Sequence, residues 1–122
     1  MGYFDQAVSA FFQDLDAHGM AGNVLLATWS EFGRRPKENA SGGTDHGAAS
    51  PVLLIGNPVQ GGLYGGAPNL SDLDATGNLK YNVDFRSVYQ EILSSHLGAD
   101  AKDVLGATFD RVPFIKAAVG VS

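Results

Sequence analysis

The sequence predicts an α/β fold, a partial doubly wound sheet with flanking helices and a middle rich in loops and ribbons. Two short apolar runs carry most of that expectation. Residues 24–28 (VLLAT) and 51–55 (PVLLI) have the leucine and β-branched content of strands covered on both faces, so they are expected to lie parallel inside a sheet. Amphipathic helical stretches lie before and after them, and the segment between is polar and rich in glycine. Helix, strand, long loop, strand, ribbon, helix is an α/β order. Two central strands make a small sheet, which suggests a portion of a larger one.

Each element has its own local reason. In residues 4–18, Phe4, Val8, Phe11, Phe12 and Leu15 recur at helical spacing and form one apolar stripe, with Asp5, Gln13, Asp14 and Asp16 off it. Gly19 is a natural C-terminal stop, with His18 in the last turn. Asn23 opens the first strand. After the second, Gly56-Asn57-Pro58 breaks the run, and residues 60–66 (QGGLYGG) read as a tight loop or small hairpin. Residues 70–83 form a ribbon candidate turning at Ala75-Thr76-Gly77-Asn78. Asp84 caps a helix running to about residue 97, whose face is Phe85, Val88, Tyr89, Ile92 and Leu93 and which Gly98 ends. A short helix at about 101–105 and a tail with Pro113 follow. No internal repeat is visible.

The chain has 122 residues, enough for one domain with a single core, and 44% of them are apolar, as in folded globular proteins. Eight Lys and Arg against 13 Asp and Glu give a net charge of -5, which argues against nucleic acid as a partner. Cysteine is absent, so disulfides, thiolate metal sites and cysteine nucleophiles are excluded. The longest apolar runs are about five residues, against the roughly 20 of a membrane helix, so no membrane span is expected. No signal-peptide pattern opens the chain, so any export signal would lie outside it. Ten of the 16 glycines fall between positions 33 and 77, which marks the middle as loop-rich.

Chemistry concentrates around the two strands. Glu31 follows the first, and Asp45 and His46 precede the second. Two carboxylates and an imidazole are donors for a hard or borderline divalent cation, Zn, Mg, Mn or Ca. Adjacent Asp45 and His46 point opposite ways in extended chain, so one would bind while the other supports it or faces a second ion. Arg34 and Arg35 suit an anionic group, and the glycines at 42, 43 and 47 permit close backbone approach. The plain alternative is that Asp45 caps a turn, His46 fills a surface slot and Glu31 pairs with an arginine. His18 and His96 are explained by helix C-termini. Ser30 lacks the G-x-S-x-G elbow of a serine hydrolase, and residues 61–66 lack the lysine of a phosphate loop. Trp29, Phe32 and Tyr64 read as pocket or core aromatics.

Five motifs in order resemble a known family: Ser30-Glu31-Phe32-Gly33-Arg34, Glu38-Asn39, Gly43-Thr44-Asp45-His46-Gly47, Gly61-Gly62-Leu63-Tyr64-Gly65 and Asp84-Phe85-Arg86-Ser87-Val88-Tyr89. They are similar to the C-terminal part of a sulfatase-like bacterial domain of unknown function, of the DUF1501 type, within the alkaline phosphatase and sulfatase superfamily. The resemblance implies a metal-dependent phosphate or sulfate ester hydrolase, in a family often exported by bacteria, of which this chain is a C-terminal portion with little activity alone. It makes His46 the best metal ligand, by the Thr-x-His segment before a Pro-Val-Leu-Leu strand. Glu31-Phe32 stands where the superfamily places Asp-His. Asp45 would support the metal, and Arg34, Arg35 and Asn39 would hold the anionic ester. The superfamily's nucleophile and first aspartate ligands have no counterpart here. The alternative is a non-catalytic module of divergent sulfatase-like fold that binds a ligand or a partner chain. Strand edges left uncovered at 24–27 and 52–55 predict association with a second copy.

Overall fold

The computed structural model describes residues 1–117. Its elements are mixed helix and small sheet: α1 (Gly2–Ala17), β1 (Leu26–Ala27), β2 (Gly33–Glu38), β3 (Thr44–Gly47), β4 (Leu54–Ile55), α2 (Phe85–Glu91) and α3 (Ala101–Leu105). Helix α1 forms where the apolar stripe predicts it. Its end is set by Gly19, whose φ of +68° is strained for any residue with a Cβ, and His18 Nδ1 lies 2.8 Å from the Asp14 carbonyl oxygen. A 3-10 turn, Ala21–Asn23, then leads toward β1.

The two predicted strands do pair, but antiparallel: Leu26 faces Ile55 and Ala27 faces Leu54. They form a two-residue ribbon, not the parallel centre of a doubly wound sheet. The cause lies between them, because the polar middle makes a hairpin of its own and brings the chain straight back. In that hairpin β2 pairs antiparallel with β3, with Arg34 opposite His46 and a register shift between Arg34 and Glu38. Pro36, which has no N–H to donate, sits in the shifted stretch. Asn39 closes the turn: its carbonyl oxygen Oδ1 accepts from the backbone N–H groups of Ser41 and Gly43, both at 3.0 Å, and Gly42 takes a φ of +75°.

The ribbon expected at 70–83 reduces to one antiparallel bridge, Leu73 to Leu79. Its turn is held by Asp74, which accepts from the backbone N–H groups of Thr76 and Asn78, each at 2.9 Å. These bonds, Asn78's first, hold the Asp74 carboxyl well below the usual carboxylate range. Asp84 caps α2 as expected, accepting from Arg86 N at 2.9 Å. The helix continues as one π-helical turn, Ile92–His96, before Gly98 ends it. Asp100 caps α3, and Gly106, at φ +78°, closes it. Among the described residues no helix is long and apolar enough to cross a membrane.

The core is small: Ala21, Ala101, Phe114 and Ile115 are its buried apolar residues. The C-terminal segment supplies half of it by acting as a strap. Ile115 bridges to Val59, Gln60 N donates to the Phe114 carbonyl at 2.7 Å, and Lys116 N donates to the Pro58 carbonyl at 2.8 Å. Upstream, Gln90 of α2 holds the same segment from the other side. Its Nε2 donates to the Phe109 carbonyl and its Oε1 accepts from Phe109 N, both at 2.8 Å.

Two outcomes follow. Phe114 is 1% exposed, and Phe114→Ala is expected to cost about 3–5 kcal/mol, read as a lowered urea midpoint. Asp84 is the acid-sensitive cap. The Arg86 guanidinium beside it, then the Arg86 N–H, lower its carboxyl from 3.8 to about 2. A carboxyl lowered in the folded state stabilises it above the unfolded value and loses that contribution as pH falls through the folded value. Helicity monitored by circular dichroism should therefore show a loss between pH 4 and 2 that Asp84→Ala diminishes.

Candidate functional site

The predicted site residues fall on or beside the β2–β3 hairpin, and Asp45 and His46 are part of strand β3 itself, not of a loop. The hairpin is tight because Gly33 and Gly47 face each other. A Cβ on Gly33 would overlap the Ala49 carbonyl, and one on Gly47 would lie 2.6 Å from the carbonyl carbon of Arg34. Close approach of the two backbones sets what happens above them. Phe32, just before β2, lays its ring on the imidazole of His46, with centroids 3.5 Å apart and planes inclined by 16°. The Arg34 guanidinium sits over the other partner of this stack, 5.2 Å from the Phe32 ring centroid.

Stacking occupies the face of the imidazole, not its edge. Neither ring nitrogen of His46 has a hydrogen-bond partner among the described residues, so both remain available to a ligand. Arg34 donates one N–H from Nη1 to the Thr44 carbonyl at 2.8 Å, which fixes the guanidinium while leaving further N–H groups unassigned. Arg35 donates from Nε to the His46 carbonyl at 3.2 Å. As the next residue along a strand it lies on the face opposite Arg34, so the two arginines do not clamp one anion together. Asn39 is occupied inside the hairpin: besides closing the turn, its Nδ2 donates to Asp45 Oδ1 at 3.2 Å.

The three predicted donors divide accordingly. His46 joins the Phe32 stack, and Asp45 turns to Asn39. Glu31 lies exposed in the bend before β2, with no hydrogen bond or ion pair among the described residues. No group of three or more His, Asp and Glu among the described residues is placed to hold a metal ion. Among the described residues, Glu31, Asp45 and His46 as placed therefore do not by themselves fit a divalent cation of ordinary coordination number.

Two features lie outside what residue types suggested. A cleft of about 540 Å³ opens between the start of α2 and residues 108–113, lined by Asn82, Ser87, Phe109 and Arg111 among others; Tyr64, read as a pocket or core aromatic, borders it, and none of the metal or anion candidates does. Beneath Arg111, Glu91 is 4% exposed with Oε1 unpartnered and Oε2 3.7 Å from Arg111 Nε. A glutamate on the polar side of a helix carries no sequence signal for burial, since its cover is the C-terminal strap.

The stack is directly observable. Ring currents from Phe32 should move the His46 ring protons upfield in the NMR spectrum, and Phe32→Ala should return them to ordinary positions. Gly47→Ala should do the same, because the added methyl group parts the strands beneath the stack.

No curated protein matches the chain, and no solved structure does. A family described as Protein of unknown function (DUF1501) matches it over residues 1–114, nearly the whole length, and the chain belongs to that family.

Proposed function

We propose that the chain is the C-terminal part of a phosphate or sulfate ester hydrolase, with the Arg34–Phe32–His46 face of the hairpin as its anion-binding side. The observation that carries this reading is the stack itself. An imidazole with neither nitrogen partnered among the described residues and a guanidinium with spare N–H groups stand together on one hairpin. Charge-assisted hydrogen bonds from a fixed guanidinium are the usual means of holding a tetrahedral oxyanion. The likeness of Thr44-Asp45-His46 and of the following strand to the alkaline phosphatase and sulfatase pattern supports the same reading.

A divalent metal belongs to this proposal through His46 as donor, with Asp45 and Glu31 as further candidates. Because these three do not assemble into a coordinating group here, no step is routed through a metal. The residues present would bind and orient an anionic ester: Arg34 by donating to its oxygens, His46 by donating or accepting one proton at a ring nitrogen. A nucleophile placed against that position is not identified, so the chain by itself is expected to bind without efficient turnover. The second reading, a partner-binding module of divergent sulfatase-like fold, is favoured by a different observation: no residue of α1 is buried.

Titration calorimetry with inorganic phosphate and sulfate tests the first reading. Millimolar binding weakened about tenfold by Arg34→Ala is expected, the scale of one hydrogen bond to a charged group. Absence of binding to either anion would leave the module. In parallel, p-nitrophenyl phosphate and sulfate with Zn, Mg or Mn should show no more than slow turnover. Rapid turnover abolished by His46→Ala would show that the chain carries its own nucleophile.

A further inference from the structure

We propose that two copies of this chain associate reciprocally, the apolar and acidic side of α1 in each seated on the basic hairpin of the other. The first observation is area. A folded monomer of 12.8 kDa exposes roughly 6,300 Å², whereas this chain exposes 8831 Å². The excess is larger than the roughly 800 Å² that each partner contributes to a standard interface. Exposed large apolar side chains recur along the chain, and helix α1 carries some of them. Phe4 and Phe11 of α1 are 36% and 45% exposed, on a helix about 24 Å long that packs within the chain chiefly against the turn Ala21–Asn23.

The second observation is charge, and it selects the occupant. Helix α1 contains Asp5, Asp14 and Asp16 and neither Lys nor Arg. At helical spacing Asp5 and Asp16 border one edge of the apolar stripe and Asp14 the other. Two α1 helices placed face to face would therefore bring like charges together. Strand β2 carries the complement, Arg34, Arg35 and Lys37 against Glu38. Among the described residues none of those three cations forms a salt bridge, and neither do Asp5 and Asp16, while Asp14 meets only His18, at 3.5 Å. Apolar surface accompanies the basic strand. Trp29, Val52 and Leu53 are exposed where the β1–β4 ribbon adjoins the hairpin, and Thr28 and Leu53 are tied there by hydrogen bonds of 2.9 and 2.8 Å. An acidic-rimmed apolar helix and a basic strand beside exposed apolar residues thus occur on the same chain. A two-fold arrangement satisfies both at once and closes the assembly. The inference rests on surface chemistry and not on the ester-binding reading, and its test reads mass, not activity.

Sedimentation velocity of the chain at micromolar concentration should give twice the monomer mass, with dissociation favoured by added salt. Arg35→Glu with Lys37→Glu should raise the dissociation constant at least about tenfold, and Asp14→Lys with Asp16→Lys should do likewise. Mixing nothing else, the four changes combined in one chain should restore association, the mark of a direct charge pairing. Circular dichroism checks that each variant folds. Should charge reversal unfold the hairpin, the milder Lys37→Gln and Phe11→Gln, both at exposed positions, should each weaken the dimer. A wild-type chain that stays monomeric, a dimer indifferent to these changes, or failure of the combined variant to recover would overturn the proposal.

Discussion

The strap at residues 109–116 is the contact on which the rest of the structure depends. Phe114 is the one large side chain that is fully buried among the described residues. Its backbone and that of Ile115 and Lys116 pair with residues 58–60, and its ring meets that of Tyr64 edge-on, with centroids 6.2 Å apart. On its other side the segment is bound to α2 by both ends of the Gln90 amide. The strap therefore joins the ribbon end of the chain to its helical end. Without it α2 and α3 would rest on each other with little else to bury, since a short helix draws most of its stability from tertiary packing. Glu91 shows what this demands. Covering the helix also covers a carboxylate, leaving one oxygen unpartnered and the other beside Arg111, a costly arrangement for a buried charge.

Local signals were legible wherever a residue type forces a backbone event. Gly19 and Gly98 end helices at positive φ, Asp84 caps one, and the turn read at 75–78 forms around the Asp74 carboxylate before it. Long-range pairing was not legible in the same way. Residues 24–28 and 51–55 have the composition of strands buried on both faces, yet composition does not encode direction, and parallel and antiparallel partners draw on the same residues. The direction was decided by the segment between them. Arg34-Arg35-Pro36-Lys37-Glu38 carries so many charges that it reads as loop, although Asn39 and the Gly42-Gly43 pair that follows it are hairpin chemistry. A strand that is solvated on both sides leaves no hydrophobic period to find. Phe114 and Ile115 were equally hidden, because a two-residue apolar unit after a proline is too short to show periodicity.

The site was legible as a neighbourhood and not as a geometry. The sequence brought Arg34, Asp45 and His46 to attention, and the hairpin sets Arg34 opposite His46 and turns Asp45 toward Asn39. Phe32 was legible only as a pocket or core aromatic, not as the partner of His46. Placed where the resembled pattern has a histidine ligand, it stacks here on one face of the exposed imidazole. The stack fixes the plane of the imidazole while leaving both of its ring nitrogens without a hydrogen-bond partner among the described residues.

Strand alternation then separates two kinds of chemistry on one short element. Arg34 stands with Phe32 and His46, whereas Arg35 follows on the other face with its Nε on the His46 carbonyl, and Lys37 lies exposed beyond Pro36. A single-residue slip of β2 against β3 would exchange these faces and place Arg35 over the stack. The register is protected against that slip at one point above all. Only where Gly33 meets Gly47 can the two backbones and the Ala49 carbonyl come so close, because each neighbouring position carries a side chain that the gap cannot hold. The glycine pair is thus the reason a charged, otherwise unspecific strand keeps one register, with Arg34 opposite His46.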